Sequence, residues 1–234
     1  MQNATTKTKQ SPIRRFVQMY IDSALEMKYL ITICLCAMMA ALSIVLSYTT
    51  SFYITPTIKI GFSGLPNRLV DYMFGPVVGC LFGGIMDVLK FLIKPDGAFF
   101  FGYTLTAMLG GLIYGTFFYR LQIKEPLQKG SSRKETLINW IKANISSILL
   151  ILTAEILVKV FLNIGLNTLW SSMMSGKAWI ALIPTRLVKN LIQIPVDTVL
   201  HFCLLKMFQQ FRRYLLPNGK SRPIIRKQSE KTAK

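Results

Sequence analysis

Long apolar runs, separated by shorter polar connections, make up most of this chain. The first strong run covers residues 28–48, and others cover residues 101–120, 137–166 and 180–210. A helix of about 20 apolar residues is long enough to cross the ~30 Å hydrocarbon core of a bilayer. The pattern therefore predicts an all-α membrane protein, in agreement with a composition in which 52% of the residues are hydrophobic.

One further apolar run, residues 64–94, is interrupted in its middle by Gly75 and Pro76. Such a pair either kinks a single helix or separates two helices. The two alternatives predict one span, or two spans over residues 64–75 and 76–94. They also place the segments that follow on opposite sides of the membrane, so the distribution of charge distinguishes them.

The chain carries a net charge of +18, and 20 of its 28 Lys and Arg residues lie in residues 1–28, 120–142 and 206–234. A nucleic-acid-binding protein would gather its cations on one folded face among polar or aromatic side chains. The three basic segments instead lie between or beyond the apolar runs. They share one side of the membrane only if residues 64–94 cross twice. The positive-inside rule then predicts six transmembrane helices with both termini in the cytoplasm.

The expected organisation follows from these spans. Residues 1–27 form a cytoplasmic tail rather than a signal peptide, residues 28–211 form the six-helix domain, and residues 212–234 form a basic cytoplasmic tail. Two of the connections on the outer side have patterns that predict their structure. Residues 49–64 favour an ordered loop or short strand, and residues 167–179 favour a loop.

The run FFFGYTLTAMLGGLIYGTFFYR, residues 99–120, is unusual in its glycines. Gly110, Gly111 and Gly115 would weaken a helix in water. In a bilayer, small residues let neighbouring backbones approach closely. The sequence therefore predicts that this helix is the packing centre of the bundle, with Arg120 fixing the orientation of its inner end.

Charged residues inside the predicted spans occur in pairs three or four positions apart, which places each pair on one helix face. The pairs are Arg68 with Asp71, Asp87 with Lys90, and Glu155 with Lys159. Each pair either neutralises itself in the membrane or serves a site.

Arg186, Lys189 and Asn190 form a different group in the outer half of the last span, just past Pro184. Two cations and an amide share one stripe there without a neighbouring acid. Such a group is costly in lipid unless it faces a water-filled cavity or an anion. We therefore interpret it as a ligand-binding group.

Aromatic and polar residues gather at the same predicted outer end. Trp170 either belongs to the interfacial aromatic belt or stacks on a flat ligand ring. The others, at the starts of the second and fourth spans, are Phe62, Asn67, Arg68, Tyr103 and Thr104. Aromatic faces beside cations and amides suit a flat heterocycle that carries carboxylates.

Ala37 and Ala41 form a ridge of small residues on one face of the first span. The ridge either packs inside the bundle or receives another membrane subunit.

The chain has a single histidine, His201, and no glycine-rich phosphate loop. We therefore expect no metal, no cofactor and no ATP hydrolysis by this chain. A membrane enzyme acting on lipid stays open as an alternative.

The chain resembles the substrate-binding S components of energy-coupling factor (ECF) vitamin transporters. The resemblance covers residues 29–206 and rests on the Ala37 and Ala41 ridge, on GPVVGCLFGGIMDVLKFL and on the glycine-rich run. FGYTLTAMLGGLIYG, NTLW and PTRLVKNLIQIPVD are most similar to the folate-specific members. One departure is Phe101-Gly102-Tyr103-Thr104, where many folate-specific members have Pro-Gly-Phe-Thr.

The resemblance implies a high-affinity vitamin-binding subunit of the bacterial plasma membrane, with no enzymatic activity of its own. It would join a transmembrane coupling subunit through Ala37 and Ala41, and two cytoplasmic ATPases would supply the energy. Residues 49–63 would be the gating loop. Folate contacts are expected from Phe62, Asn67, Arg68, Tyr103, Thr104, Asn167, Trp170, Arg186, Lys189 and Asn190. Another flat vitamin, such as thiamin or riboflavin, is the alternative cargo.

Overall fold

The structure, a computed structural model, describes residues 12–49, 51–55, 58–93, 98–119, 121–124, 133–176 and 178–215. Its helices are α1 (Pro12–Glu26), α2 (Leu30–Thr49), α3 (Leu65–Phe74), α4 (Pro76–Ile93), α5 (Phe101–Phe118), α6 (Arg133–Leu157), α7 (Asn167–Ser175) and α8 (Trp179–Leu215). A π-helical segment, Val158–Leu166, joins α6 to α7. The predicted helical class is confirmed. Arg120, residues 1–11 and residues 216–234 lie outside the described residues.

A short antiparallel hairpin follows α2, where an ordered loop or short strand was predicted. Strand β1 (Ser51–Thr55) pairs with strand β2 (Ile58–Gly61), and a 3₁₀ turn, Phe62–Gly64, leads from β2 into α3. The hairpin is a minor addition to an otherwise helical fold.

Within the described residues, five helical stretches are long and apolar enough to cross a membrane. They are Leu30–Thr49, Pro76–Ile93, Phe101–Phe118, Ile138–Ser175 and Trp179–Gln209. The predicted span at residues 64–75 corresponds to α3, whose 10 residues extend only about 15 Å. Its side chains from Leu69 to Phe74 are all buried. Helix α3 is therefore a short helix enclosed by the longer ones.

The break between α3 and α4 lies at Gly75, as the sequence predicted. Gly75 has φ 88°, and a Cβ there would meet Ser23 and Tyr119 at 3.0 Å. Glycine accepts this backbone conformation without strain. Pro76 begins α4, where its missing N–H costs no intrahelical hydrogen bond. Two helices rather than one kinked helix follow from this pair.

Helices α4 and α5 pack backbone against backbone along their glycines. A Cβ at Gly83 would lie 2.5 Å from the Ala107 carbonyl oxygen, and one at Gly115 would lie 2.5 Å from Pro76 Cα. A Cβ at Gly111 would overlap the Gly79 carbonyl. The glycine-rich run is thus a close-packing helix, as predicted from its composition.

The fifth predicted span continues further than expected. Residues 167–179 were predicted to be a loop, but Asn167–Ser175 form α7 in direct continuation of the π-helical segment. The helix ends at Gly176, which has φ 65°. No glycine or proline interrupts NTLWSSMMS, so the first strong stop signal is Gly176 itself. This extension brings Trp170 and Ser171 onto a helix beside α5 and α8.

The amino-terminal segment contains a helix that was not predicted. Residues 1–27 were interpreted as a tail, yet α1 occupies Pro12–Glu26 and packs on α4. It was missed because it is 15 residues long, too short to span, and less apolar than the predicted spans. Its exposed apolar residues and its exposed polar residues lie on different sides, which is the signature of an amphipathic helix.

Candidate functional site

Five side chains, from α5 and the residue before it, from α7 and from α8, meet at the amino-terminal end of α5. We call Phe100, Tyr103, Trp170, Ser171 and Arg186 the terminal cluster. The Tyr103 and Ser171 hydroxyls are 2.9 Å apart. The Phe100 ring packs against Trp170 at a centroid distance of 5.5 Å and against Tyr103 at 6.2 Å. The cluster therefore joins a rigid aromatic surface to hydroxyl groups.

Arg186 supplies the positive charge of the terminal cluster. One guanidinium nitrogen donates to Ser171 Oγ, and the other donates to the Asn163 carbonyl oxygen at 3.5 Å. Both partners are neutral, and no carboxylate pairs with Arg186 in the part of the chain that the structure describes. The cation is positioned by hydrogen bonds, but its charge is not compensated by an acid.

The π-helical segment explains why the Asn163 carbonyl is available. In this segment the backbone N–H of Asn167 bonds to the Leu162 carbonyl, five residues back. The Asn163 carbonyl also accepts from the Thr168 hydroxyl at 3.2 Å. π-Helical turns often occur at functional sites. Here the turn directs a carbonyl toward α8 and Arg186.

Trp170 is held against α5 by a hydrogen bond and by close packing of its ring. Its indole N–H donates to the Thr106 hydroxyl at 3.1 Å. A Cβ on Gly102 would lie 2.6 Å from the Trp170 ring, so the ring lies over the α5 backbone. This placement favours a stacking surface over an isolated residue of an interfacial belt.

A second polar group lies beside the terminal cluster, around Thr104. The Thr104 hydroxyl donates to Asp87 Oδ2 at 2.8 Å, across the α4–α5 contact. Lys90, one turn further along α4, donates to the Ser63 carbonyl at 3.4 Å. Asp87 and Lys90 were predicted as a charge pair on one helix face. Their charges interact, while each side chain makes its hydrogen bond to another helix or turn.

Phe62 and Asn67 lie at the same end of the bundle. Phe62 begins the 3₁₀ turn after β2. Ser43 on α2 donates to the Ser63 carbonyl at 2.6 Å and to Asn67 Oδ1 at 3.3 Å. These bonds connect α2, the turn and α3. The predicted residues Phe62, Asn67, Tyr103, Thr104, Trp170 and Arg186 are thus brought to one end of the protein.

Arg68 points elsewhere, into the interior. Its guanidinium donates to Asp71 Oδ2 at 2.6 Å, which confirms the predicted pair, and lies 3.7 Å from the centroid of the Tyr114 ring. Both contacts stabilise the position of the guanidinium. Arg68 could contact a ligand at the terminal cluster only by leaving these partners.

Tyr114 connects Arg68 to a buried acid. Its hydroxyl donates to Glu155 Oε2 at 2.8 Å, and His201 Nδ1 lies 2.6 Å from Glu155 Oε1. Glu155 is fully buried. We call Arg68, Asp71, Tyr114, Glu155 and His201 the central network. It links α3, α5, α6 and α8.

Glu155 and Lys159 were predicted as a charge pair on one helix face. Their charges interact, but the direct ion pair of Lys159 is with a different acid. Lys159 Nζ donates to Asp197 Oδ2 on α8 at 2.7 Å. Glu155 is instead occupied by Tyr114 and His201. Lys159 belongs to the π-helical segment, whose wider turn changes which residues lie above one another. The i, i+4 rule for an α-helix therefore does not apply here.

Three further residues that were predicted to contact the ligand lie on α7 and α8: Asn167, Lys189 and Asn190. Asn167 donates through Nδ2 to Asn163 Oδ1 at 2.9 Å. Among the described residues, Asn167 Oδ1 is a buried acceptor without a hydrogen-bond partner, which is a costly arrangement for a polar atom. Lys189 and Asn190 follow Arg186 within about one turn of α8, and Asn190 is buried.

The two alanines of the ridge are exposed on α2. The neighbouring Cys36 and Ala40 are half-buried, so the described residues leave the Ala37 and Ala41 ridge uncovered. The exposure of the two alanines argues against a purely internal packing role for the ridge.

Ser171 and Asn163 are components of the site that the sequence did not reveal. Ser171 is one serine among several in a run without regular spacing, and Asn163 contributes only its backbone carbonyl to Arg186. The continuous helical propensity of residues 167–175 is the signal that would have placed Ser171 beside Trp170.

Comparisons with known proteins agree with this architecture. The family model described as "ECF transporter, substrate-specific component" matches residues 31–205. The folate transporter FolT of Clostridium novyi (strain NT) is 34% identical over 171 residues, covering 73% of this chain and 86% of that protein. FolT of Leuconostoc mesenteroides is 31% identical over 176 residues, covering 73% of this chain and 82% of that protein.

A solved structure has the same fold. The crystal structure of FolT bound with folic acid matches with a TM-score of 0.58 and 28% sequence identity, covering 74% of this chain and 90% of that one. Together with the apolar helices, these matches make the chain a multi-pass membrane protein. It belongs to the ECF transporter family of substrate-specific components.

Proposed function

We propose that this chain is the folate-binding subunit of an ECF-type importer in the bacterial plasma membrane. The observation that carries the proposal is Arg186, a cation with neutral hydrogen-bond partners, held by Ser171 next to Trp170 on α7. Folate joins a flat pterin to an anionic glutamate, so it offers a ring for the aromatic surface and carboxylates for the cation. The resemblance to folate transporters supports the same ligand.

The proposed contacts divide by chemistry. Arg186 and Lys189 suit the glutamate carboxylates, because cation–carboxylate hydrogen bonds are the stronger ones. The amides of Asn67, Asn167 and Asn190 suit the donor and acceptor edge of the pterin. Among these amides we favour Asn167 Oδ1 as the acceptor of a pterin N–H, since it is buried without a hydrogen-bond donor in the described residues. Phe62, Tyr103, Thr104 and Trp170 would complete the site, and Arg68 would join it by leaving the central network.

The proposed topology has six crossings, with both termini in the cytoplasm and the terminal cluster at the outer face. Helix α3 would be the short second crossing, enclosed by longer helices. A short helix is acceptable there because its buried side chains do not meet lipid. The distribution of basic segments supports this orientation.

We further propose that the exposed ridge of Ala37 and Ala41 receives a transmembrane coupling subunit, and that two cytoplasmic ATPases supply the energy. Small residues on a lipid-facing helix allow close helix–helix contact. The chain itself would bind and deliver folate without catalysing a reaction.

The identity of the ligand is tested by native mass spectrometry of the purified protein. After expression in folate-producing cells, we expect a bound mass of folate or a reduced folate, and its loss from Arg186→Ala. A bound mass of thiamin or riboflavin would instead support the alternative cargo. Turnover of lipid by the isolated chain would support an enzyme.

The ridge is tested by Ala37→Trp and Ala41→Trp. Either tryptophan should prevent close approach of another helix, so co-purification of the coupling subunit should fall at least about tenfold while folate affinity is unchanged. Leu42→Trp is the matched control, because Leu42 is also exposed on α2 but lies about 120° around the helix from the middle of the ridge. Normal assembly of both alanine variants would remove the docking claim.

A further inference from the structure

Helix α1 has a side that is fixed to the bundle. Met19, Ser23 and Glu26 are buried. The Ser23 hydroxyl donates to the Phe74 carbonyl at 2.7 Å and accepts from the Val77 backbone N–H at 3.0 Å. Ser23 therefore caps the start of α4 from another helix, and α1 is held against the turn between α3 and α4.

A second contact fixes α1 to α5. The Tyr20 and Thr116 hydroxyls are 2.9 Å apart. Thr116 is 13 residues after Tyr103, so the contact lies about 20 Å along α5 from the terminal cluster. Helix α1 is thus at the end of the bundle opposite the candidate site.

The neighbouring side of α1 is apolar but exposed. Ile13, Phe16, Val17 and Ile21 have exposed fractions of 76%, 52%, 51% and 46%. At 3.6 residues per turn they fall within an arc of about 140°. Such a large apolar flank on a short helix indicates a partner of apolar character.

The remaining side is polar. It carries Arg14, Gln18 and Asp22, and Gln18 donates to Asp22 at 2.8 Å. Residues 1–28 contain five Lys and Arg against two acids. The helix thus has three longitudinal flanks: one against the protein, one apolar and one polar. The charges of α1 itself balance, and the positive excess of the segment comes from the lysines before and after the helix.

We propose that α1 lies in the membrane–water interface, with its apolar flank in the lipid and the excess cations of residues 1–28 near anionic headgroups. The apolar flank leads directly into α2, whose first turns expose Leu30, Ile31 and Ile33 and whose length and hydropathy are those of a span. A 15-residue helix with one apolar flank lies on a membrane rather than crossing it. Excess cations favour the anionic leaflet.

Lipid explains the three flanks better than a protein partner does. A helix lying beside a bundle at the interface contacts protein, hydrocarbon and water along three different sides, in the order seen here. The arrangement fixes the α3–α4 turn to the plane of the membrane through Ser23. Helix α1 is accordingly an interfacial anchor for the end of the protein opposite the ligand.

The anchor is tested in the full chain, reconstituted alone into vesicles of phosphatidylcholine and phosphatidylglycerol. A photo-cross-linking amino acid is placed at Val17 or at its neighbour Gln18, and in a second matched pair at Ile21 or Asp22. Lipid adducts should be at least about fivefold more frequent from Val17 and Ile21 than from Gln18 and Asp22. The share of phosphatidylglycerol among them should exceed its mole fraction by about twofold.

Unchanged unfolding temperatures in detergent would show that the labelled proteins fold. Equal lipid labelling within both pairs would overturn the proposal. So would cross-links from Val17 and Ile21 to a second copy of the chain instead of lipid. If the share of phosphatidylglycerol among the lipid adducts equalled its mole fraction in the vesicles, the role of the cations would be contradicted. The experiment contains no folate, so its outcome is independent of the proposed function.

Discussion

The two arginines of the described polar clusters are held in opposite ways. Arg68, in the central network, has a carboxylate partner in Asp71 and an aromatic ring in Tyr114. Arg186, in the terminal cluster, has a hydroxyl and a backbone carbonyl as partners. The charge of the first is compensated within the protein, whereas the charge of the second is positioned but not compensated.

This difference separates stabilising charges from binding charges. A buried group that loses its partner costs free energy of unfolding, because the remaining partner stays buried and unsatisfied. A group whose partners are neutral retains most of its electrostatic attraction for an anionic ligand. Substitutions in the central network should therefore change stability, and those in the terminal cluster should change folate affinity.

The largest effect is expected from Glu155→Ala in the central network. The substitution leaves the Tyr114 hydroxyl and His201 Nδ1 without their shared partner in the core. The free energy of unfolding should fall by about 4 kcal/mol, which a thermal unfolding scan in detergent would detect as a shift of about 10 °C. Glu155→Gln is the matched control and should cost less, because its amide oxygen still accepts from Tyr114. An unchanged unfolding temperature would contradict the stabilising role.

Arg186→Ala should have the next largest effect, and on binding. The Kd for folate should rise about 100-fold, or about 2.7 kcal/mol, while the unfolding temperature changes by no more than about 2 °C. Arg186→Lys keeps the charge and should lose less affinity. Arg68→Ala provides the comparison and should chiefly lower the unfolding temperature. If Arg186→Ala unfolded the protein and Arg68→Ala only weakened folate binding, the roles of the two arginines would be reversed.

Trp170→Ala should raise the Kd for folate about tenfold, because it removes the largest ring of the terminal cluster. Trp170→Phe retains a ring and should recover most of the affinity. Isothermal titration on the two variants makes the comparison. Equal losses for both would indicate that the indole N–H bond to Thr106, rather than stacking, is what matters.

Tyr103→Phe should have the smallest effect, about threefold or less in Kd. The ring stays against Phe100, and only the hydroxyl beside Ser171 is removed. Ser171→Ala removes the other hydroxyl together with a partner of Arg186, and should cost more. Titration of both variants with folate tests this order.

The sequence predicted those parts of the fold that depend on local pattern. Gly75 and Pro76 separate two helices because positive φ and a missing N–H act at the residue itself. Arg68 and Asp71 pair because three positions along a helix place them on one face. The glycines of α5 predicted close packing because small residues in a membrane helix let neighbouring backbones approach closely.

What the sequence did not predict depends on residues far apart in the chain. Glu155 and His201 are 46 positions apart and meet only because α6 packs on α8. Lys159, in the π-helical segment, forms its ion pair with Asp197 on α8 rather than with Glu155. No spacing along a single helix predicts a partner on another helix. The direction of Arg68, toward the interior rather than the terminal cluster, likewise follows from the packing of α3 against α5.

The central claim is that the terminal cluster binds folate, and an equilibrium titration of the purified protein tests it most directly. Intrinsic tryptophan fluorescence is the readout, because Trp170 lies in the cluster, and Trp170→Phe identifies its share of the signal. We predict saturable binding of folate well below micromolar concentration, about 100-fold weaker in Arg186→Ala, with no competition by thiamin or riboflavin. No response at micromolar folate, or competition by thiamin or riboflavin instead, would contradict the account.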